Sequence, residues 1–210
     1  MDNLDTLAPL NLLKAIRNKF FIFVSHLRLS KYPPFVYYKP RGYKVTGADS
    51  RKISQELREG DIILRGYTDY VDGLFIRLLS GKPWTHIGYV TSKDRVIHAV
   101  AKGVSFEDIY QFCRTDKILV LRPEGLSPQE IEEISARAES MIGTPYDMDF
   151  DFDDTTAVVC SEFIFVINGP EVNRKLGVVK RRTGPPLMER DAVSPGDFPS
   201  FPGYKSVYEI

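Results

Sequence analysis

An α+β fold, with an antiparallel sheet packed against helices, is predicted by three observations. First, two apolar, β-rich segments, His86 to Thr91 and Arg95 to Val100, are separated only by Ser92-Lys93-Asp94, too short a link for anything but an antiparallel hairpin. Second, further strand-like runs stand at Asp61 to Arg65 and Lys117 to Arg122. Third, helical segments are expected beside these strands, around Tyr70 to Leu79, over 127 to 142 and from Cys160. With 210 residues, the chain has room for one ordinary domain and an extension.

Each element has a local cause. Within residues 10 to 29, Leu12, Leu13, Ile16, Phe20, Phe23, Val24 and Leu27 recur at helical spacing, while Lys14, Arg17 and Arg28 lie mostly off that face. This basic amphipathic helix either packs its stripe on the main domain or lies in a lipid interface. Residues 30 to 52 carry Pro33, Pro34, Pro40, Gly42 and Gly47 and read as a connector. The chain therefore divides into an N-terminal helix and linker over 1 to 52, a main domain over 53 to 170 and an extension over 171 to 210 packed on it. A helix is expected around Tyr70 to Leu79 and a short one near Phe106 to Phe112.

Ser127-Pro128-Gln129-Glu130 has the cap, first-turn proline and acidic residue of a helix start, and Gly143 follows its end, so a helix is expected over 127 to 142. Another should run from Cys160 to Asn168, stopped by Gly169-Pro170, with Thr155 or Thr156 available as caps. Beyond 170 the prolines are scattered among turn-like stretches, and irregular structure packed on the domain is expected.

Composition excludes several function classes. Twenty-eight basic and 28 acidic side chains leave no net field to draw the chain onto nucleic acid, and Lys180-Arg181-Arg182 reads as a solvated loop. Two cysteines, Cys113 and Cys160, cannot build a disulfide framework and fit a reducing, cytoplasmic setting. The apolar run Phe20 to Val24 is too short for a signal peptide or a spanning helix, so neither is inferred, and peripheral membrane contact would fall to residues 10 to 29.

The chemistry-bearing residues are few. His86 and His98 stand on the two strands of the hairpin, and their equal parity puts them on one face, directly opposite or diagonal according to register. Such a pair suits a buried structural contact, part of a metal site, or catalysis; a metal site would need more ligands at suitable spacing. Cys160 stands where a polar segment turns into an apolar helix, so that backbone N–H groups and the helix dipole should favour its thiolate. A thiolate, an imidazole to take its proton and a second polar group to hold that imidazole are the parts of cysteine acyl transfer, with the Cys160 N–H as one oxyanion donor. The Asp-rich stretch from Asp147 to Asp154 lacks a glycine where a calcium loop needs one, and reads as a polar loop. Cys113, among Phe106, Ile109 and Phe112, reads as a small buried residue. No metal or organic cofactor is required.

Five blocks in order, Gly60-Asp61-Ile62-Ile63-Leu64, Trp84-Thr85-His86-Ile87-Gly88-Tyr89-Val90, Val96-Ile97-His98-Ala99, Gly143-Thr144-Pro145-Tyr146-Asp147 and Cys160-Ser161-Glu162-Phe163, resemble the permuted papain-like branch of the NlpC-type cysteine hydrolases. The resemblance implies a circularly permuted papain-like fold, with Cys160 as nucleophile, His86 as base and His98 in the third position. It also implies that Tyr146 and residues near it line the substrate site; Trp84, either a cleft wall or a strand anchor, and Thr85 are the further substrate-binding candidates. Relatives of the YiiX type often carry Glu at the third position, whereas lecithin:retinol acyltransferase-like relatives carry His at the spacing found here. The implied activity is a cysteine hydrolase working on a small-molecule, peptide or lipid acyl substrate through an acyl-thioester. A membrane-associated lipid acyltransferase or phospholipase, and a non-enzymatic peptide- or lipid-binding module on the same fold, are the alternatives.

Overall fold

In a computed structural model, the structure describes residues 7 to 24, 27 to 29, 36 to 38, 43 to 67, 81 to 148, 156 to 183 and 190 to 210. The helix expected around Tyr70 to Leu79 lies outside them, as do His26, Thr155 and most of the Asp-rich stretch.

Six strands form one antiparallel sheet: β3 (Ile62–Gly66), β4 (His86–Ser92), β5 (Arg95–Val100), β6 (Gly103–Asp108), β7 (Lys117–Pro123) and β10 (Tyr204–Glu209). Their spatial order is β10-β7-β3-β4-β5-β6. The period-two pattern gives the sheet two apolar faces. Ile62, Leu64, Ile87, Tyr89, Ile97, Leu119 and Leu121 enter one core, while Ile63, Val90, Val96, Ile118 and Val120 enter the other. The first face is covered by α4 (Pro128–Ser140) and α5 (Cys160–Leu176), the second by α2 (Gly47–Glu56) and the four-residue α3 (Ile109–Phe112).

The C-terminal expectation needs correction. Instead of irregular structure, residues 204 to 209 form the edge strand β10, paired antiparallel with β7 from Tyr204↔Pro123 to Glu209↔Leu119. A 3-10 helix, Pro195–Ser200, leads into it, and Phe198, Phe201 and Tyr204 bury their rings in the first core. Of the prolines in this stretch, Pro195 and Pro199 lie in the 3-10 helix and Pro202 in the turn that feeds β10, while Pro185 and Pro186 lie outside the described residues. Two short hairpins, β1 (Leu27–Leu29) with β2 (Val36–Tyr38) and β8 (Arg181–Thr183) with β9 (Arg190–Ala192), stand outside the main sheet.

Three further expectations are revised. Residues 106 to 108 belong to β6, which pairs with β5 along its whole length from Arg95↔Asp108 to Val100↔Gly103, so only residues 109 to 112 are helical; strand pairing overrides local helix preference. Within the expected connector, Thr46 and Asp49 form a capping box that starts α2 at Gly47. Finally, Gly169 adopts φ 73° and ψ 170°, which interrupts the helix where expected, but the chain resumes helical geometry to Leu176. Asn173 spans the break by donating from Nδ2 to the Phe165 carbonyl at 2.7 Å, and accepts from Asn168 Nδ2 at 3.0 Å.

At the N-terminus, α1 (Leu7–Val24) leaves Leu12, Ile16, Phe20 and Phe23 exposed, between 55% and 62%. Their stripe is therefore not covered by the main domain.

Candidate active site

Cys160 is the first residue of α5, and its N-cap is Val159 rather than either threonine. With no polar side chain at the cap, the Glu162 carboxylate reaches back to accept the Val159 N–H at 3.4 Å. The N–H groups of Cys160 and Ser161 are left to act on the thiol of Cys160. A third donor comes from the sheet. Pairing between β4 and β5 ends at Tyr89↔Ile97, two residues past Ile87, whose N–H acts to lower the Cys160 thiol. Cys160 and Ile87, the residue that follows His86, also pack in the same core.

These donors and the positive charge of Arg65 favour a thiolate, as the helix start suggested, but burial is the larger influence and raises the thiol to about 11. Cys160 is buried, and desolvating an anionic sulfur outweighs three backbone dipoles. The resting group is a protonated thiol.

The histidines come together diagonally. With Tyr89 opposite Ile97, His98 falls across from Gly88, and the His86 Nε2 to His98 Nδ1 distance is 2.9 Å. Gly88 makes this approach possible: a Cβ there would lie 2.5 Å from Val96 Cγ1 and 3.3 Å from His98 Cβ. The two rings meet edge to face with centroids 5.0 Å apart, and both lie against the ring of Phe112. Burial, followed by the charge of Arg65, holds His86 well below the usual imidazole range and His98 down to about 3. Both rings are neutral near pH 7.

Arg65 and Glu107 did not stand out in the sequence. Arg65 faces His86 across the β3–β4 ladder, stacks on Phe112 with its guanidinium 4.5 Å from the ring centre, and donates from Nη1 to Glu107 Oε2 at 3.2 Å. The same Oε2 lies 3.6 Å from His98 Nε2. Neither residue is within a recognisable motif; only strand register reveals that both border the histidines.

Tyr146 reaches the cysteine through a short parallel bridge to Val158, supported by Val158 N–H donating to the Pro145 carbonyl at 3.1 Å and Asp147 N–H to the Val158 carbonyl at 3.2 Å. Burial raises its phenol well above the ordinary range, with the charge of Cys160 contributing next. Thr144 is tied to β6 by Val104 N–H donating to its carbonyl at 2.8 Å. Trp84 is buried in the first core, and Thr85 is buried with its N–H and hydroxyl both on the Arg65 carbonyl. Both are buried and neither is open surface.

The model of the permuted papain-like amidase family, YaeF/YiiX, C92, matches residues 56 to 207. The chain belongs to this family. The permuted papain-like α+β fold and the cysteine peptidase/amidase class expected from the sequence are thereby borne out. Membership makes the C92 chain an enzyme of the cysteine hydrolase kind. A solved structure described as the metalloprotein YiiX from Escherichia coli O157:H7 is similar in fold, with TM-score 0.61 and 22% identity, covering 74% of this chain and 98% of that one. No curated protein matches the C92 chain at the sequence level. Among its described residues, no three His, Cys, Asp or Glu side chains are gathered as a metal site, and none of its helices is long and apolar enough to cross a membrane.

Proposed function

We propose that Cys160 is the nucleophile of an amide or ester hydrolase, with His86 as its base and His98 as the group that holds His86. The observation that carries this reading is that Cys160 opens α5 and packs in one core with Ile87, the residue that follows His86 on β4. From the neutral resting state, the thiol proton passes to His86 as sulfur attacks the carbonyl carbon. Backbone donors at the start of α5 then face negative charge developing near the helix mouth. His86 returns its proton to the departing amine or alkoxide, leaving an acyl-thioester. Water attacks that thioester with His86 again accepting the proton, and release of the carboxylic acid restores the thiol.

Intact-protein mass spectrometry after incubation with a panel of acyl esters and peptide amides tests the reading. One acyl group should add to the wild type and none to Cys160→Ala. Equal addition to both would remove Cys160 from the mechanism.

A second reading, lipid acyl chemistry at an anionic bilayer, is supported by α1. Its helix exposes Leu12, Ile16, Phe20 and Phe23 and carries Lys14, Arg17 and Lys19 with no acidic residue. Acidic vesicles should sediment the full chain but not a chain lacking residues 1 to 29. Equal sedimentation would count against this reading.

A further inference from the structure

Arg65 and Glu107 end a chain of groups that leads back to His86. Glu107 Oε2 lies 3.6 Å from His98 Nε2, and His98 Nδ1 lies 2.9 Å from His86 Nε2. In a neutral imidazole one nitrogen carries a proton and the other a lone pair, and the partner of one fixes the state of the other. A lone pair on His98 Nε2 would face the carboxylate and be repelled; an N–H there is attracted. That choice leaves His98 Nδ1 as an acceptor, so His86 Nε2 must donate to it. His86 Nδ1 is then the bare nitrogen.

We propose that Glu107, clamped by Arg65, is a positioning residue that acts through His98 to keep His86 in the tautomer whose Nδ1 can accept a proton. The inference rests on His86 being the base of the proposed reaction and deepens that reading. With the opposite tautomer the 2.9 Å contact would persist, but His86 Nδ1 would already carry a proton and could not take one from a thiol. Hydrogen-bond distance alone therefore does not make His86 a base; the direction of the bond does.

The surroundings suit such a device. Arg65 holds Glu107 from β3 at 3.2 Å, while its guanidinium lies over Phe112 from α3. The Glu107 side chain is 31% exposed and keeps solvent on one side, whereas that of His98 is 4% exposed. A cavity of about 210 Å³, lined by Tyr43, Tyr67, Gln111 and Arg114 together with Arg65 and Glu107, gives the carboxylate that solvent contact. Among the described residues, the charged and titratable groups facing the relay are Arg65 from β3, Glu107 from β6 and the partner imidazole on β4 or β5. When His86 takes the thiol proton, its positive charge is shared along the row toward Glu107, while the sulfur electrons form the new bond to carbon.

Nitrogen NMR of histidine-labelled protein reads the tautomer without any substrate. The chain has three histidines, and a His26→Gln variant removes the third signal. At pH 7.5 the wild type should show His86 protonated on Nε2 and bare on Nδ1. Glu107→Leu should shift the population toward Nδ1–H, and Glu107→Gln, which keeps an acceptor oxygen but loses the charge and can present its NH2 instead, should shift it the same way to a smaller extent. With an acyl substrate, Glu107→Gln should lower kcat by about tenfold at unchanged KM, within the range of general-base effects. A wild-type His86 carrying its proton on Nδ1 overturns the inference. So does a folded Glu107→Leu protein with an unchanged tautomer, or an unchanged kcat in Glu107→Gln. Should Glu107→Leu fail to fold, the wild-type tautomer and the Glu107→Gln kinetics still decide. The expected tautomers without any acylation of Cys160 would leave this inference standing while removing the proposed reaction.

Discussion

The two faces of the sheet each bury one cysteine, and the contrast between them shows how the surroundings of the proposed nucleophile differ from those of a second buried thiol. Cys113, after α3 on the second face, is raised to about 12 by burial, with a hydrogen bond to the Ser50 side chain acting the other way. Cys160 is also raised by burial, to about 11. Desolvation alone does not distinguish them. The difference lies in what waits for the anion. Cys160 is acted on by the N–H groups of Ile87, Ser161 and its own residue at a helix mouth, whereas Cys113 meets apolar side chains, the Ser50 hydroxyl and the opposed charges of Arg65, Asp108 and Glu107. Backbone dipoles are fixed by the fold and need no reorganisation when charge appears, so they assist the step that forms an anion even where the resting thiol stays protonated.

The sharpest way to break this contrast is substitution of each cysteine. Cys160→Ala should lower turnover by roughly 10⁴-fold or more, as loss of a nucleophile does in comparable enzymes, while Cys113→Ala should leave acyl labelling intact. Loss of labelling in a folded Cys113→Ala protein would show that the faces are not chemically separate.

Next in size is the support beneath the site. Asp61, buried, receives Arg122 through Nε and Nη2, both at 2.8 Å, and also the Arg58 N–H at 2.9 Å. Asp61→Asn should cost about 3 kcal/mol in denaturant unfolding, since removing one charge leaves the other unpaired. A change below 0.5 kcal/mol would reduce this first family block to a surface pair.

Gly88→Ala should cost about 2 kcal/mol through overpacking against Val96 and Phe112. It should also weaken the histidine contact, visible as a change in the imidazole nitrogen signals. Unchanged signals and stability would mean that the strands can separate freely at this point.

The smallest effect concerns acid. His98 is held below its unfolded value of about 6.5, so the unfolded chain binds its proton first as pH falls. Its contribution is present above pH 6.5 and is lost progressively toward about 3. Between pH 7 and 5.5, unfolding free energy should fall by roughly 1 kcal/mol from this residue. His98→Asn should show a correspondingly smaller acid loss; the same loss in both proteins would place the titrating group elsewhere.

Period-two alternation determined the main strands and put His86 and His98 on one face, because successive side chains of a strand point to opposite sides. The capping pattern at Ser127 to Glu130 determined the start of α4, and five ordered blocks carried the family and its candidate residues. These are local signals, encoded within a few neighbouring positions. What only the tertiary structure decided were contacts between positions distant in sequence. Register made the histidines diagonal instead of opposite, pairing with β7 turned a proline-spaced tail into β10, and strand adjacency assembled Arg65 and Glu107 around His98. Burial, likewise a property of the assembled molecule, kept the Cys160 thiol protonated against the pull of its helix, because the cost of desolvating charge depends on everything packed around it.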